Sequence, residues 1–312
     1  MILPKAIVVG GSGFIGSHIV RALFECGWQV LALDLLAPKT APNHTYVFKQ
    51  IRLPDPQLRD IFLSVKPKAV IFAAGTALVR ESFEDPLKDY KAAVDVLIHL
   101  SDQLRLYAPE SRLVLLSSAA VYGNPIRLPV REDDLLQPMS PYGFHKMMSE
   151  MVVREYSEIF GLSSMVFRLF STFGPGLRRQ VIWDIVQKAM DTHIVSVELR
   201  GTGKEARDFM AVEDIALTIS KALEMDLPRH FVCNIASGEE TSVAELADKV
   251  LRILGSRKPI CFTGERDTGM PDRWCADITK LKSFGLLPPM DMEGRLISTV
   301  SWMRQAAQEE MA

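Results

Sequence analysis

The stretch KAIVVGGSGFIGSH, residues 5–18, decides the fold of this chain. A run of β-branched and apolar residues ends in a turn with three evenly spaced glycines, Gly10, Gly13 and Gly16, and a helical pattern follows. Glycine permits a tight turn, a close approach of the backbone to a ligand, and close packing of the helix on the strand. The unpaired N–H groups at the start of the new helix attract phosphate. The stretch therefore predicts a strand, a dinucleotide-binding turn and a helix.

Apolar runs of the same kind recur along the chain and alternate with helical patterns. They lie at 6–10, 29–34, 69–74, 112–118 and 163–170. Strands that are apolar throughout are buried on both faces, and the intervening helices supply the cover. We therefore predict an α/β fold of Rossmann type, a doubly wound parallel sheet with a smaller C-terminal α+β substrate domain. The predicted nucleotide-binding domain comprises 1–169 and 209–236, and the predicted smaller domain comprises 170–208 and 237–312.

The composition and charge of the chain limit the classes of partner that we expect. The 312 residues are 48% hydrophobic and 24% charged, with a formal net charge of −2, which is ordinary for a globular protein. This balance gives no electrostatic reason to expect nucleic acid or an anionic membrane as a partner. The four cysteines and six histidines lack metal-site spacing, so we expect no metal and buried, reduced thiols. The first residues do not resemble a signal peptide, and no apolar run is long enough to span a bilayer. We therefore expect a cytoplasmic protein.

An acid at the end of the second predicted strand indicates the cofactor. Asp34 follows the glycine turn at about the distance expected for a ligand of the adenosine ribose. A carboxylate there accepts hydrogen bonds from both ribose hydroxyls and repels a 2′-phosphate. Leu35 and Leu36 supply no guanidinium to bind such a phosphate, so NAD is favoured over NADP.

A serine, a tyrosine and a lysine predict the chemistry. Ser118 ends the strand at 112–118, at the sheet edge where open α/β folds bind ligands. Tyr142 and Lys146 are four residues apart and share one face of a predicted helix. We expect the Lys146 ammonium, together with the positive nicotinamide ring, to lower the pKa of the Tyr142 phenol from about 10. Tyr142 would then exchange a proton with a sugar or alcohol oxygen near neutral pH, and Ser118 would hydrogen-bond the same oxygen.

These features resemble the extended short-chain dehydrogenase/reductase family, the group of NAD-dependent nucleotide-sugar epimerases and dehydratases, over nearly the whole chain. The matching segments are GGSGFIGSH, FAAGT (72–76), SSAAVYG, YGFHK, RLFSTFGPG, ARDFMAVEDIA and NIASGEETSVAEL. The resemblance implies an NAD-dependent enzyme that acts on a nucleotide-diphosphate sugar. Its catalytic residues would be Ser118, Tyr142 and Lys146.

The resemblance also implies two sets of binding residues. For NAD they are Gly10, Gly13, Phe14, Ile15, Gly16, Asp34, Gln50, Ala73, Ala74, Gly75 and Lys146. For the substrate they are Ser118, Tyr142, Ser171, Arg207 and Arg266, with the two arginines binding the diphosphate bidentately. The segment 168–172 is expected beside the nicotinamide or the substrate. Gln50 stands where the family usually has an aspartate that meets adenine, and Ala93 and Ser171 stand where asparagine is common.

Three reactions share such a site. A 4-epimerase oxidises C4 of the sugar and returns the hydride to the other face, whereas a 4-ketoreductase draws reduced cofactor from solution. A 4,6-dehydratase needs a further acid and base, and the family's dehydratases carry Asp-Glu directly after the serine or threonine. Ala119 and Ala120 occupy those positions here, and methyl groups do no acid–base work. Asp34 favours NAD, and NAD favours the epimerase because a redox-neutral enzyme recycles the cofactor that it holds. The ketoreductase is the alternative.

Two further expectations concern partners. A non-catalytic dinucleotide sensor is the alternative from another class, but such proteins typically lack the tyrosine and lysine that are present here. The resemblance implies a homodimer that pairs through long helices near 86–107 and 142–160. Met147, Met148, Met151 and Val152 offer an apolar stripe for that contact, which core packing explains equally well.

Overall fold

The fold is built around a seven-stranded parallel sheet. The structure is a computed structural model that describes residues 3–38, 46–75, 79–265 and 269–311. The seven strands are β1 (Lys5–Val9), β2 (Gln29–Asp34), β3 (Val47–Gln50), β4 (Ala69–Phe72), β5 (Arg112–Ser118), β6 (Ser164–Leu169) and β10 (His230–Ile235). Their order is β10-β6-β5-β4-β1-β2-β3, and every neighbouring pair is parallel. The order reverses between β1 and β4, which is where open sheets of this kind bind ligands.

Helices cover both faces of this sheet. They are α1 (Phe14–Glu25), α2 (Gln57–Val65), α3 (Val79–Glu84), α4 (Pro86–Tyr90), α5 (Val96–Tyr107), α6 (Pro141–Phe160) and α8 (Val212–Ala222). Alternate residues of β1 enter opposite cores: Ala6 and Val8 pack with α1 and α8, and Ile7 and Val9 with α2, α5 and α6. The doubly wound sheet predicted from the apolar runs is confirmed.

The remaining elements form a smaller α+β part. Its strands are β7 (Ser171–Phe173), β8 (Val197–Leu199), β9 (Ala206–Ala211), β11 (Glu240–Ser242) and β12 (Ile260–Phe262), and its helices are α7 (Gln180–Met190), α9 (Val243–Leu254) and α11 (Met292–Met311). The short helix α10 (Thr279–Ser283) packs instead on β10 of the large sheet. One strand, β9, pairs with both β7 and β11, and β8 pairs with β12. A third hydrophobic core joins α7, α9 and α11 through residues such as Trp183, Val250 and Met303.

Two expectations about local structure need correction. The helix predicted over 86–107 is interrupted by a π-helical turn, Lys91–Asp95, which the apolar periodicity does not reveal. The cysteines are not all buried: Cys233 is, but Cys26 and Cys261 are exposed. In the part of the chain that the structure describes, no helix combines the length and apolarity needed to cross a bilayer.

Candidate active site

The glycine turn joins β1 to α1 at the carboxyl end of the sheet. Gly10 has a φ of +84°, in the left-handed region that favours glycine, and a Cβ added there would lie 2.7 Å from the Ala74 nitrogen. A Cβ at Gly16 would lie 2.0 Å from the Gly10 carbonyl oxygen, so α1 packs directly on the turn. Gly13 is the N-cap of α1. Backbone packing alone therefore requires Gly10 and Gly16.

The start of α1 fits a pyrophosphate. The first helical N–H groups, those of Phe14 and Ile15, have no intrahelical acceptor, and no described side chain caps the helix at Gly13. Phe14 and Ile15 also line a large cleft. N–H groups at a helix N-terminus beside a cleft suit an anionic diphosphate, so these residues fit the pyrophosphate of NAD.

Asp34 ends β2 beside the turn, and its carboxylate is already held by backbone donors. Its Oδ2 accepts from the Ser12 N–H at 2.9 Å, and its Oδ1 accepts from the Leu35 N–H at 2.7 Å. Oδ1 also accepts from the Leu36 N–H at 3.4 Å, whereas Oδ2 keeps a second lone pair that a ribose hydroxyl can use. Gln50 is the register partner of Asp34 in β3, and its amide nitrogen donates to the Leu35 carbonyl at 2.9 Å. Its amide oxygen could therefore accept a hydrogen bond from an adenine amino group.

A cleft of about 1090 Å³ opens beside the turn. Its lining includes the predicted residues Phe14, Ile15, Ala73, Ala74, Gly75, Ser118, Tyr142, Lys146, Ser171 and Arg207. Asp34 and Gln50 lie farther along the sheet edge, at the ends of β2 and β3. Arg266 and Thr76 lie outside the described residues. The fold thus brings predicted cofactor and substrate residues from distant parts of the chain to one cavity.

Ser118, Tyr142 and Lys146, which we call the Tyr142 corner, come together at this cleft. Ser118 ends β5, and Tyr142 stands in the first turn of α6, whose N-cap is Ser140. A hydrogen bond joins the Tyr142 phenol to Ser118. The Lys146 Nζ lies 5.8 Å from the centre of the Tyr142 ring and donates to the Leu116 carbonyl at 2.9 Å. A phenol, a hydroxyl and an ammonium group thus border the same space.

Burial controls the two titrating groups of this corner. It raises the pKa of the Tyr142 phenol, although the hydrogen bond from Ser118 and the charge of Arg179 act in the opposite direction. It also lowers the pKa of the Lys146 ammonium from 10.5 to about 8. In the chain alone the pKa of Tyr142 is thus raised, and its lowering by Lys146 together with the nicotinamide ring stays a prediction. The spacing of four residues showed that the two side chains are neighbours, but it did not show how far both are removed from water.

Three charged or titratable residues near this corner were missed in the sequence interpretation. Asp89 of α4 is only 2% exposed, and its Oδ2 accepts from the Nδ1 of His145 in α6 at 2.5 Å. Arg179, just before α7, lines the cleft and acts on Tyr142. No local motif marks Asp89 or Arg179. For His145 the only signal was its place beside Lys146 in YGFHK.

Arg207 lies on the opposite wall of the cleft, in β9. Its Nη1 donates to the carbonyls of Ala206 and Asp272 at 2.9 and 3.1 Å, and its Nη2 donates to the Pro271 carbonyl at 2.9 Å. The guanidinium carbon also lies 5.5 Å from the centre of the Trp274 ring. The segment 271–274 therefore fixes the orientation of this guanidinium at the cleft wall.

The segment 168–172 reaches the cleft only in part. Residues 169–172 line it, whereas the side chain of Arg168 is buried beside α6. The Nη2 of Arg168 pairs with Glu150 at 2.7 Å, and its Nη1 donates to the Tyr122 hydroxyl at 2.8 Å. Arg168 thus belongs to a buried polar network rather than to the cleft lining.

Known proteins share this fold over almost the whole chain. The model of the NAD-dependent epimerase/dehydratase family matches residues 6–236. The UDP-glucose 4-epimerase of Lactobacillus helveticus is 32% identical over 302 residues, which cover 89% of this chain and 90% of that protein. The chain belongs to the NAD-dependent epimerase/dehydratase family. Membership confirms the predicted family, the enzymatic class and NAD as the cofactor.

Two solved structures of 4-epimerases extend the likeness. The UDP-N-acetylglucosamine 4-epimerase of Methanobrevibacter ruminantium, in complex with UDP-N-acetylmuramic acid, superposes with a TM-score of 0.89 at 27% identity, covering 98% of this chain and 100% of that one. The UDP-glucose 4-epimerase of Thermus thermophilus, in complex with NAD, superposes with a TM-score of 0.85 at 26% identity, covering 97% and 99%. Within the described ranges of this family member, no group of three or more His, Cys, Asp or Glu is placed to hold a metal ion.

Proposed function

We propose that this chain is an NAD-dependent nucleotide-sugar 4-epimerase. The observation that carries the proposal is the Tyr142 corner, where Tyr142 is hydrogen-bonded to Ser118 and lies beside the buried Lys146 at a cleft next to the glycine turn. Similarity to UDP-glucose and UDP-N-acetylglucosamine 4-epimerases over nearly the full length supports the same reaction.

The side chains of the corner divide the work of moving a proton. When bound, NAD supplies the acceptor and donor of hydride. Tyr142 takes the proton of the C4 hydroxyl and returns it after the sugar has rotated in the site. Ser118 hydrogen-bonds the same oxygen. Lys146 carries its charge below about pH 8 and stabilises the phenolate. Because the hydride removed from C4 returns to C4 on the other face, and the proton returns to the C4 oxygen, the reaction has no net redox change.

Ala119 and Ala120 argue against elimination. Both residues are buried in a short 3-10 turn, Ala119–Tyr122, directly after Ser118. A 4,6-dehydratase of this family needs an acid and a base at these positions, and two methyl groups supply neither.

Incubation without added cofactor tests the reaction. Purified protein would be mixed separately with UDP-glucose, UDP-N-acetylglucosamine and UDP-glucuronic acid, and the products analysed by proton NMR. We expect the C4 epimer of at least one of them, because a redox-neutral enzyme recycles the NAD it holds. Strict dependence on added NADH or NADPH would favour the ketoreductase instead, and loss of water would favour a dehydratase.

We assign the two ligands to different parts of the chain. Residues 1–169 and 209–236 would bind NAD, and residues 170–208 and 237–312 would bind the nucleotide sugar. Arg207 and Arg266 would bind its diphosphate, and Ser171 its sugar. The fixed guanidinium of Arg207 at the cleft wall supports this assignment. An Arg207→Gln protein should show a raised KM for the nucleotide sugar with unchanged NAD content.

We also propose a homodimer that pairs through α5 and α6. The predicted apolar stripe faces outward only in part, since Val152 is 7% exposed and Met147 packs on the core. Phe144, Met148 and Met151 of α6 are 45%, 39% and 63% exposed and offer the contact surface instead. Light scattering of the wild type and of Met151→Glu would test the assembly, and a monomeric wild type would contradict it.

A cytoplasmic location completes the proposal. All four cysteines are free thiols, and Cys26 and Cys261 are exposed, which suits a reducing compartment. Fractionation of the source cells, followed by immunoblotting, would test this location.

A further inference from the structure

A buried ion pair lies one helical turn beyond Lys146 of the Tyr142 corner. Glu150 and Arg168 are 8% and 5% exposed, and the Nη2 of Arg168 donates to the Oε2 of Glu150 at 2.7 Å. We propose that these two are positioning residues: together with Ser117 they fix α6 on the ends of β5 and β6 and thereby set the position of Tyr142 against Ser118. The use that turnover makes of this position rests on the proposed function, but the position itself does not.

The fold brings Ser117, Glu150 and Arg168, which we call the Glu150 cluster, together from three elements. Ser117 of β5 and Arg168 of β6 are register partners, so they stand side by side on one face of the sheet. Glu150 stands on α6, which packs against β5. The Ser117 hydroxyl donates to the Oε1 of Glu150 at 2.5 Å, and the Nε of Arg168 donates to the same oxygen at 3.0 Å. One carboxylate therefore joins the helix to both strands.

The other side of the Arg168 guanidinium is also held. Its Nη1 donates to the Tyr122 hydroxyl at 2.8 Å and to the Glu132 carbonyl at 2.9 Å. Tyr122 belongs to the 3-10 turn after Ser118, and its hydroxyl donates to the Oδ1 of Asn234 in β10 at 2.7 Å. Each of the three guanidinium nitrogens thus has an acceptor. The guanidinium is therefore fixed in orientation, and it contacts the chain just after Ser118 as well as the carboxylate of α6.

Two hydrogen bonds join α6 to the end of β5 at successive helical turns. The Lys146 Nζ donates to the Leu116 carbonyl at 2.9 Å, and Glu150 accepts from Ser117 one turn later. Tyr142 stands in the first turn of the same helix, so a shift of α6 along β5 would move its phenol away from the end of that strand. Hydrogen bonds to ionised groups are roughly twice as strong as neutral ones, so the Glu150 cluster resists such a shift.

Stability alone does not account for this buried ion pair. Removing two charges from water offsets much of their attraction, and an apolar replacement of similar volume is often neutral or stabilising. A carboxylate that accepts from two nitrogens of one guanidinium is instead fixed in direction. The Glu150 cluster can therefore be replaced by apolar residues without unfolding the chain, so its effect on position can be measured separately.

Replacing the whole cluster separates position from stability. The variant Ser117→Ala/Glu150→Leu/Arg168→Met removes one anion and one cation together, so the local net charge is unchanged and no charge of the cluster stays unpaired. We expect its midpoint of unfolding in urea to stay near that of the wild type. Its kcat should fall between about tenfold and about 100-fold, while the KM for the nucleotide sugar changes little, because only the reacting groups are displaced.

Ser164→Ala is the matched control for this experiment. Ser164 begins β6 at the opposite end of the sheet, is fully buried, and shares a side-chain hydrogen bond of 2.8 Å with the Nδ1 of His230. The control therefore also removes a buried serine hydrogen bond, but one far from the Tyr142 corner. We expect it to keep the kcat of the wild type.

The Tyr142 phenol reports its own position without any substrate. The tyrosines would be labelled with carbon-13 at the ring carbon that bears the hydroxyl, and the Tyr142 signal would be identified by its absence in Tyr142→Phe. We expect this signal to move in the triple variant and to stay in place in Ser164→Ala. An unmoved signal in the triple variant, or a triple variant with the kcat of the wild type, would overturn the proposal.

A milder variant keeps the test decisive if the triple variant does not fold. Ser117→Ala removes the bond from β5 to Glu150 and leaves the ion pair with Arg168 in place. The Tyr142 signal should again move, and kcat should fall severalfold. An unmoved signal or an unchanged kcat would overturn the proposal here too. A wild type that epimerises no nucleotide sugar would instead overturn the proposed function, and the Tyr142 signal would still decide whether the cluster sets the position of the phenol.

Discussion

The glycine turn and the Tyr142 corner lie at the same edge of the sheet, but they are built in opposite ways. The turn is made of backbone: Gly10 and Gly16 are required by contacts within one short stretch of chain. The corner is made of side chains from β5 and α6, and its properties depend on their burial. A site built from local backbone leaves a pattern in the sequence, whereas a site tuned by burial and distant charges does not.

Removing the phenol of Tyr142 should have the largest effect on kcat. It disrupts the Tyr142 corner and leaves the glycine turn intact. Tyr142→Phe takes away the group that accepts and returns the C4 proton, so we expect kcat to fall about 10³-fold. NAD content, measured after denaturation, should be unchanged because the turn is untouched. Tyr107→Phe, at the end of α5, is the matched control. Activity within tenfold of the wild type would contradict the assigned role of Tyr142.

The complementary experiment disrupts the glycine turn and leaves the side chains of the Tyr142 corner unchanged. Gly16→Ala places a methyl group against the Gly10 carbonyl, so either α1 or the turn must move. We expect the free energy of unfolding in urea to fall by about 3 kcal/mol, and NAD binding to be lost. At Gly13 an added Cβ would meet only the Gly10 oxygen at 3.2 Å, and Gly13→Ala should cost about 1 kcal/mol or less. Equal costs at the two positions would show that close packing does not explain Gly16.

Asp34 adds a side-chain charge to the backbone groups of the glycine turn. Asp34→Asn should weaken NAD binding about tenfold, because a hydrogen bond to a charged acceptor is stronger than one to a neutral one. It should weaken NADP binding less, since the carboxylate that repels a 2′-phosphate is gone. Isothermal titration with both cofactors would measure this, with the exposed Asp60→Asn as the control. An unchanged preference for NAD would contradict the role assigned to Asp34.

The smallest expected effect is the pH dependence of the wild type. Burial lowers the pKa of Lys146 to about 8, so the ammonium is present below that pH and is lost as the pH rises through it. We expect kcat to decline severalfold between about pH 7 and pH 9. Unfolding monitored over the same range would separate this decline from loss of structure. A flat profile across pH 8 would mean that the charge of Lys146 is not needed for turnover.

The sequence predicted the architecture because each strand and its glycine turn are local patterns. The alternation of apolar runs with helical periods gave the parallel sheet, and Gly10, Gly13 and Gly16 marked the dinucleotide turn. The raised pKa of Tyr142 in the chain alone was not foreseen, because burial depends on the packing of β5 and α6, which no spacing encodes. Asp89, 57 positions before Lys146 in the chain, was missed for the same reason. The π-helical turn was missed because five residues of altered helix preserve the apolar period.

The most direct test of the proposed function follows the hydrogen atom at C4. A nucleotide sugar that carries deuterium at C4, and that the unlabelled form has shown to be a substrate, would be incubated with the protein in ordinary water without added cofactor. Transient oxidation within one site predicts that the epimer keeps its deuterium at C4, as measured by NMR and mass spectrometry. Loss of the label to solvent, or conversion only in a parallel incubation to which NADH is added, would contradict an epimerase that removes and returns the same hydrogen.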